Sequence, residues 1–554
     1  MSAEKLDELL GDPWAPGNPA GHAAALAADE QRRPPAAAGE LLAEYGLGAE
    51  FVPAALGGRL TRADELAELL KAVWRRDPAL GLDHGFGSFL AAAPVWTSGG
   101  PEQQRAVADL LLSGGRIAAP AGPLDGAPDR PEFTARPAEG GWLLSGRQEF
   151  TAGLDRADAL VLRTDLGPVL VHRAELPADG RVRELPPVGA AGLRGLRFGG
   201  LELTDCPVPA GALLDGRTAP DPADREGASR SYRLTRAFTA GLAAGPLDTA
   251  LRTALANALD RRLYGAPVAD LPYVRSVLAR AREDLLIVDL LGSVLVRALH
   301  LVPDAPAGQA PAADALAART VQAAVEELRA ALGARGFIRE GAHAIFQKTA
   351  RDLTVHGVLR ASRADTLRLV LPHLPRLAPG APADPDLFDL GGPLPPLDPR
   401  RPTADPAAPD PVLATLAVFA AAPGAAGDDP LARFATRLGA ELDALGADCA
   451  ALSRSALPRS GPTADPDPAA LALAERYAVL FAAGCAAGVH RQAPDRLPRA
   501  ALLGVLDRLT RRLGGAAVLT AAEREQVERQ LFETAVELFH DRTMFDLTAR
   551  RIPG

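Results

Sequence analysis

Hydrophobic residues recur every three or four positions along the first part of the chain. From about Gly39 to Gly115 this spacing runs through segments such as RADELAELLKAVWRR and EQQRAVADLLLSG. An apolar stripe with the period of an α-helix predicts helices that pack through one face. The first part of the chain is therefore predicted to be a helical unit.

Between Ala118 and Leu214 the pattern changes to short alternating runs. The segments GWLLSG, ADALVLRTD, GPVLVHRAEL and GLELTDCPVP are separated by Gly, Pro and Asp. Alternation of apolar and polar residues is typical of strands with one buried face, and Gly, Pro and Asp are typical of the turns between them. We expect a small β domain in this region.

Long helical periods return from Ser229 to about Pro375 and predict a four-helix bundle. The following residues are rich in Pro, Asp and Gly and predict an extended linker, after which further amphipathic segments predict a second helical domain. The fold class is thus mainly α with a central small β domain. The predicted division is an N-terminal helical domain at 1–117, a β domain at 118–222, a four-helix bundle at 223–376, a linker at 377–411 and an additional helical domain at 412–554.

The charge balance and the cysteines restrict the class of protein. The 554 residues include 60 Lys and Arg against 69 Asp and Glu, a net charge of −9, and no long basic run stands out. Nucleic acid is not expected as a partner, because its phosphates require a basic surface. Cys206, Cys449 and Cys485 form no CxxC pair. Neither a disulfide framework nor a metal site is therefore predicted.

No targeting signal is evident in the sequence pattern. The first residues, MSAEKLDELLGDPW, lack a basic region followed by an apolar core, and no uninterrupted apolar run is long enough to span a bilayer. We therefore expect no transmembrane segment and a cytoplasmic location.

Several local motifs follow one another in the order found in the acyl-CoA dehydrogenases. VPAALGG resembles that family's PxxxGG turn, GRQEFTAGLDRAD its GxKxFITNxxxAD strand and DRRLYGAPV its RxxFGxP turn. LGARGF and ARDLTV resemble its GGxGY and RDxxi segments. Over roughly its first two thirds the chain is identified as a member of the acyl-CoA dehydrogenase superfamily. That fold orders an N-terminal helical domain, a β-barrel-like domain and a four-helix bundle.

The resemblance implies a bound FAD and an acyl thioester as substrate. The flavin would lie between the β domain and the bundle, completed by a neighbouring subunit, which implies a homodimer or homotetramer. Arg261 would meet the diphosphate, where a planar bidentate donor suits phosphate oxygens. Gly333 and Gly336 would let a turn approach the cofactor of a partner subunit. Phe150 would pack on the isoalloxazine.

The family's catalytic carboxylate is not found at either of its usual positions. The glutamate that follows the RD motif by nine residues corresponds to Arg360, counted from Arg351. The alternative position, immediately before the arginine of the TR pair, corresponds to Thr235, which precedes Arg236. A guanidinium cannot act as a base near neutral pH.

The expected flavin contacts also differ. The strand that would supply a hydroxyl to the isoalloxazine has Ala152 at that position, and Thr151 would replace it only if the register slipped. The TEPxxGSD loop is represented by AGPLDGAPD from Ala121 to Asp129, and the glutamine before the GGxGY turn is Ala330. Whether FAD is bound is left open by these departures.

Three functions remain open at this stage. The chain could oxidise an acyl thioester in a specialised pathway, with His356 or Asp365 as a displaced base. It could instead act on a substrate that decarboxylates, with Arg360 binding the β-carboxylate. It could also be a non-catalytic subunit or scaffold that kept the fold. The candidate catalytic residues are Arg360, His356 and Arg236.

The additional C-terminal helices resemble extensions found in two branches of the superfamily. The alkylation-response branch binds DNA through such a module, but the acidic balance of this chain argues against that reading. The very-long-chain members use theirs to associate with membranes or partners. RAALLGVLDRLTRRLGG is the one basic amphipathic stretch in this region, and it reads equally as a helix that faces the core of the extra domain.

Overall fold

The computed structural model describes most of the chain as two compact units. The described residues are 2–119, 131–214, 224–358, 363–377, 380–402, 408–422, 428–452 and 467–554, with the side chains of 224–229, 355–358 and 376 outside the description. Unit 1 comprises Met1–Thr235, Val355–Ala361 and Pro396–Thr403, and unit 2 comprises Arg236–Thr354, Ser362–Pro395 and Ala404–Gly554. The division of the sequence into five segments stays a prediction.

Unit 1 begins with the helices that the periodicity predicted. Their apolar faces carry buried residues such as Leu66, Leu70 and Trp74. The helices are α1 (Ala3–Leu10), α2 (His22–Glu30), α3 (Ala36–Tyr45), α4 (Ala63–Arg76), α5 (Pro78–Gly81), α6 (Gly87–Ser98) and α7 (Pro101–Leu112).

A seven-stranded sheet follows these helices in unit 1. Its strands are β1 (Ile117–Ala118), β2 (Phe133–Ala138), β3 (Gly141–Ala152), β4 (Ala159–Thr164), β5 (Gly167–His172), β6 (Val182–Val188) and β7 (Phe198–Pro209). The order is β1-β4-β2-β3-β7-β6, with β5 paired to β4. β4 pairs in parallel with β1 and β2, and the other pairs are antiparallel. One face buries a core that includes Phe133, Leu144, Leu203 and Cys206.

The sequence pattern identified β3, β4, β5 and β7 but not β1, β2 or β6. Most positions of β6 are exposed, and it contains Pro186 and Pro187. An edge strand that buries little has no alternating signature, and proline is tolerated there because one of its edges makes no ladder bonds. β6 was therefore not predicted because few of its side chains are buried.

Unit 2 is helical, as the long periods predicted. Its helices are the end of α8 (Asp224–Leu242), α9 (Ala244–Asp260), α10 (Pro272–Leu301), α11 (Gln309–Leu332), α12 (Ala344–Val358), α13 (Arg363–Arg368), α14 (Pro411–Ala421), α15 (Pro430–Ala451), α16 (Pro468–Gln492), α17 (Arg499–Leu513) and α18 (Ala521–His540). A short hairpin, β8 (Arg262–Leu263) and β9 (Ala266–Pro267), joins α9 to α10. The prediction of a mainly α protein with one central sheet is confirmed.

The first long helical period is broken into two helices. α8 ends at Leu242 and α9 begins at Ala244. Pro246 has no N–H with which to bond the carbonyl of Leu242, four residues earlier. The sequence pattern runs through this point because the apolar spacing continues on both sides.

The described part of the predicted linker is held against α10. The Arg297 guanidinium donates to the carbonyl oxygen of Asp386 at 2.6 Å and to that of Gly392 at 3.2 Å. The ring of His300 lies 2.7 Å from the carbonyl oxygen of Pro395, and Phe388 is buried. This segment lacks regular structure but is fixed to unit 2 by its backbone.

α8 and α10 cross at a pair of glycines. A Cβ atom built on Gly292 would lie 2.3 Å from Cα of Gly241, and one built on Gly241 would lie 2.9 Å from Cα of Gly292. We expect Gly292→Ala to lower the free energy of unfolding by about 2 kcal/mol, because the helix backbones must move apart. Urea denaturation followed by circular dichroism measures this, with Gly446→Ala, where the added Cβ meets nothing within 4 Å, as the control. Equal stability of the two variants would contradict the prediction.

One described helix is long and apolar enough to cross a membrane by length and composition. It is α16, with a mean hydropathy of 1.4 in its most apolar window, and 67% of that window is buried inside the protein. Such burial is typical of a core helix, since a lipid-facing helix would present its apolar residues outward.

Candidate functional site

The end of β3 carries the residues predicted to face a flavin ring. Thr151 is buried and pairs with Gly199, whereas Ala152 pairs with Phe198. Side chains alternate along a strand, so Phe150 and Ala152 share one face and Thr151 lies on the other. The strand therefore presents an aromatic ring on that face, but no hydroxyl.

The ring of Phe150 is stacked in an apolar cluster. Its centroid lies 4.3 Å from that of Phe198, with the two planes inclined by 9°. The cluster also contains Ala79, Leu193 and Leu196. One face of Phe150 is thus covered by Phe198, which limits how a flavin could stack on it.

A buried charged centre lies next to this strand and was not predicted from the sequence. Asp83 and His84 belong to a π-helical segment, Leu82–Phe86, and such segments often occur at functional sites. Oδ2 of Asp83 lies 3.0 Å from Nη1 of Arg156 and 3.2 Å from Nη1 of Arg116. A Cβ built on Gly153, just after β3, would be 3.9 Å from Oδ1 of Asp83.

The histidine of this centre is neutral. Burial, followed by the charges of Arg116 and Arg156, lowers the pKa of His84 to about 3. Nη2 of Arg116 lies 2.8 Å from Nδ1 of His84 and 3.2 Å from its Nε2, and Nε2 lies 3.2 Å from Oδ2 of Asp83. The sequence signal was an Asp-His pair inside an apolar helical stretch. Hydrophobic periodicity alone does not identify such a pair as part of a site.

In unit 2, two of the predicted cofactor-binding segments come together. Nη1 of Arg335 donates to Oδ1 of Asn257 at 2.6 Å, and the backbone N–H of Arg261 donates to the carbonyl oxygen of Asn257 at 2.9 Å. The end of α9 is thereby joined to the turn Gly333–Phe337. The Arg261 side chain is partly exposed and forms no ion pair within the described part of the chain.

The two glycines of this turn differ in their surroundings. Gly333 has a φ of 59°, and a Cβ built on it would meet nothing within 4 Å. Gly336 is buried, and its Cβ would lie 3.2 Å from Cγ of Arg329. Gly333 is therefore required by backbone conformation and leaves open space beside the turn.

Arg236 lies inside unit 2 as part of an ion pair. Its Nη1 is 3.0 Å from Oδ2 of Asp314, and the hydroxyl of Thr239 donates to the other carboxylate oxygen at 2.5 Å. Arg236 is 2% exposed. Its guanidinium is engaged by a buried carboxylate, and its assignment to catalysis stays a prediction.

Some of the other residues predicted for the site lie outside the described part of the chain. Arg360, the side chain of His356 and the loop from Ala121 to Asp129 lie outside the described residues. Asp365, on α13, is half exposed and lies 3.6 Å from Arg368. Thr235 donates its hydroxyl to backbone carbonyls one turn earlier in α8.

The RD motif itself forms a buried charge cluster. Nζ of Lys348 lies 2.7 Å from Oδ2 of Asp352, and Nη2 of Arg351 lies 3.0 Å from Oδ1. Lys348 and Asp352 are both almost fully buried. All three residues lie on α12 itself, so these ion pairs act within the helix.

The fold and sequence have clear relatives. Residues 228–364 match the family model of the acyl-CoA dehydrogenase C-terminal domain. The chain superposes on a Bacillus anthracis acyl-CoA dehydrogenase complexed with FAD with a TM-score of 0.66 and 14% identity, over 96% of this chain and 94% of the other. No curated protein matches the sequence.

Two further solved structures are similar over about two thirds of the chain. One is the prolyl acyl carrier protein oxidase AnaB, with a TM-score of 0.55 and 16% identity over 66% of this chain and 96% of the other. The other is FkbI for biosynthesis of a methoxymalonyl extender unit, with a TM-score of 0.55 and 22% identity over 68% of this chain and 100% of the other. The overall architecture is thus the acyl-CoA dehydrogenase fold followed by extra helices. The family-model match over residues 228–364 and this fold support the acyl-CoA dehydrogenase superfamily that the motifs predicted.

Proposed function

We propose that this protein is a flavin-dependent oxidoreductase acting on an acyl group carried as a CoA or carrier-protein thioester, in a specialised metabolic pathway. The observation that carries the proposal is the edge of unit 2 where the segments of Arg261 and Gly333 are joined through Asn257 and Arg335. There an arginine without an ionic partner in the described residues stands beside a turn with open space. The similarity to an FAD-complexed dehydrogenase and to a carrier-protein oxidase supports the choice of cofactor and substrate class.

The residues at this edge fit the diphosphate end of FAD. Arg261 would hold the diphosphate through its planar pair of N–H donors, and Gly333 would allow close backbone approach. In unit 1, Phe150 would contact a flavin ring, but Ala152 supplies no hydroxyl on that face. When bound, the flavin would supply the redox centre that the protein side chains lack.

The acid–base chemistry of the proposed reaction is assigned only by the sequence. His356 would be the base if the substrate loses an α-proton, and Arg360 would bind a β-carboxylate if the substrate decarboxylates. In the second case no base is required, because carbon dioxide leaves the substrate's electron pair behind. Arg236 would then position the bundle helices through its bond to Asp314.

Exposed apolar residues support a homodimer or homotetramer. Of the nine large hydrophobic side chains exposed in the described residues, six lie at 263–273 and 337–338 of unit 2, including Tyr264 and Phe337. A concentration of exposed apolar residues is typical of an interface. We propose that this surface contacts a second copy of the chain. A cytoplasmic location likewise stays a prediction.

The function is tested by the visible absorbance of the purified protein before and after incubation with FAD. We expect one flavin per chain, and Arg261→Ala should weaken FAD binding at least about tenfold, because a charge-assisted bond to phosphate is lost. Arg262→Ala, an exposed neighbour bonded to the Gly265 carbonyl, is the matched control.

A protein that takes up no flavin after reconstitution would contradict the oxidoreductase proposal. It would favour the second candidate, a non-catalytic subunit or scaffold. The specific observation behind that candidate is the face of β3, where Phe198 covers Phe150 and no hydroxyl is present.

A further inference from the structure

A cleft lined by arginines lies in unit 1. It has a volume of about 760 Å³ and is bordered by the loop between α2 and α3, the turn after β3 and the loop between β6 and β7. This volume is within the range of sites that bind small molecules, roughly 300 to 1,000 Å³. None of the motifs in the sequence pointed to this location.

The lining is strongly biased toward positive charge. Arg32, Arg33, Arg156, Arg194 and Arg197 face the cleft, whereas Asp155 is the only acidic residue in its lining. We call these five residues the arginine cluster. Arg156, Arg194 and Arg197 are paired with Asp83, Asp29 and Asp155. Within the described residues Arg32 and Arg33 therefore carry the positive charge that favours a bound anion.

Three members of the cluster are fixed in position by bonds to the protein. Arg156 is held by buried Asp83 at 3.0 Å, Arg194 donates to the carbonyl oxygen of Ala191 at 3.1 Å, and Arg32 donates to that of Ala190 at 3.2 Å. Each of these contacts uses one or two of the five N–H donors of a guanidinium. The remaining donors are available to a ligand at little cost in side-chain entropy.

Two members have no carboxylate partner in the described residues. The Arg33 side chain is exposed and has no hydrogen bond or ion pair among the described residues, while the Arg32 side chain reaches only a backbone carbonyl. Arg32 adopts a φ of 52° just after the end of α2, where the N–H of Arg33 donates to the carbonyl oxygen of Ala28. This left-handed conformation commonly ends a helix.

One wall of the cleft is apolar. Pro34, Pro187 and Val188 line it, and Val188 is 49% exposed. A ligand that is only a small anion would leave this wall in contact with water. A ligand with a phosphate group and a flat ring would contact both the arginine cluster and the wall.

We propose that the cleft binds a phosphate-bearing anion of the nucleotide type, with its phosphates on the arginine cluster and its base on the wall of Pro34, Pro187 and Val188. The paired N–H donors of arginine match phosphate oxygens. The cleft adjoins the apolar cluster of Phe150 through Ala190 and Leu196, whereas the proposed diphosphate contacts Arg261 and Gly333 belong to unit 2. It does not depend on the proposed oxidoreductase function.

The test is calorimetric titration of the full chain with ADP, pyrophosphate and adenosine. We expect ADP to bind more tightly than pyrophosphate and adenosine not to bind, and added salt to weaken ADP binding because the contacts are ionic. Arg32→Ala combined with Arg33→Ala should weaken ADP binding at least about tenfold. Neither residue has an ionic partner in the described chain, so folding, checked by circular dichroism, should be unchanged.

Two controls separate this cleft from other sites. Arg105→Ala removes an exposed arginine of α7 and should leave ADP binding unchanged. Arg261→Ala should also leave it unchanged, and saturating FAD should not displace ADP. The proposal is overturned if the wild-type chain binds neither ADP nor pyrophosphate, or if binding survives the double substitution. It is also overturned if Arg261→Ala or FAD abolishes ADP binding, or if the arginine cluster binds an acidic protein but no nucleotide. Pyrophosphate binding as tight as that of ADP would overturn the role of the apolar wall.

Discussion

Replacing Asp284 with alanine is expected to lower the free energy of unfolding of this protein by about 3 to 5 kcal/mol. Asp284, on α10, is fully buried and accepts two bonds from Arg508 of α17, to Oδ1 at 2.9 Å and to Oδ2 at 2.6 Å. Nη2 of Arg512 lies 3.3 Å from Oδ1. The substitution would leave two largely buried guanidinium groups without their shared carboxylate.

The surrounding charges compensate only partly for that loss. Arg508 also bonds to Glu327 of α11 at 3.1 Å, but Glu327 is itself engaged by Arg280 at 2.9 Å. Although burial opposes it, the hydrogen bonds to Asp284 help to raise the pKa of Arg508 above its ordinary value. Arg508 therefore stays charged, and a buried charge without its partner is the costly case.

The measurement is urea denaturation followed by far-ultraviolet circular dichroism. Fluorescence would not report on this region, because Trp14, Trp74, Trp96 and Trp142 all belong to unit 1. Asp284→Asn keeps the shape but removes the charge, and should lose most of the same stability. Asp270→Ala is the matched control, since its exposed pair with Arg275 contributes about 1 kcal/mol or less. A loss no larger than that of Asp270→Ala would contradict the prediction.

This ion network explains the basic amphipathic stretch that the sequence left ambiguous. Arg508, Arg511 and Arg512 lie on α17, where they pair with Asp284 and Asp507. Arg508 and Arg512 are turned toward Asp284 of α10, and Arg511 pairs with Asp507 one turn earlier in α17. Hydrophobic periodicity cannot distinguish these outcomes, because both place arginines beside an apolar face.

The fold was predictable because its signals are local and repeated. Helix periodicity and strand alternation identified the order of helices, sheet and helices, and the motifs identified the superfamily. The break at Ala243 and the edge strand β6 were missed because one depends on a missing N–H at Pro246 and the other buries little. Both depend on hydrogen bonding or burial, which spacing does not encode.

The candidate sites were predictable only where a motif marked them. Arg261 and Gly333 occur in recognisable turns, and the structure brings their segments together through Asn257 and Arg335. The centre of Asp83 and Arg156 draws on residues far apart in sequence and carries no motif. The arginine cluster likewise comes from separate loops, so no spacing along the chain could reveal it.

The second large effect concerns the residue before Asp284. Glu283 is fully buried, and a Cβ built on Gly504 of α17 would lie only 2.7 Å from its Oε1. Burial raises the pKa of Glu283 to about 8 from its ordinary value of 4.5, although the charges of Arg524 and Arg508 lower it. Asp284 and Glu528 add to the increase. Arg524 is already paired with Asp507 and Arg508 with Asp284, so the two arginines neutralise Glu283 only in part.

A carboxyl whose pKa is higher in the folded than in the unfolded chain binds its proton more tightly when folded. Its contribution favours folding at low pH and is lost as the pH rises from about 4.5 to about 8. The difference between these two values corresponds to a free energy on the order of 5 kcal/mol. We therefore expect wild-type stability to decline between about pH 5 and about pH 9 through this group.

Glu283→Gln should remove that decline, because glutamine is neutral at every pH and has nearly the same shape. The variant should be the more stable protein by several kilocalories at about pH 9 and should lose this advantage at about pH 5, where Glu283 is already protonated. Urea midpoints across this range, followed by circular dichroism, measure the effect. Glu326→Gln, on the exposed surface of α11 beside Arg329, should leave the pH dependence unchanged. Parallel stability curves for wild type and Glu283→Gln would show that Glu283 does not bind its proton more tightly in the folded chain.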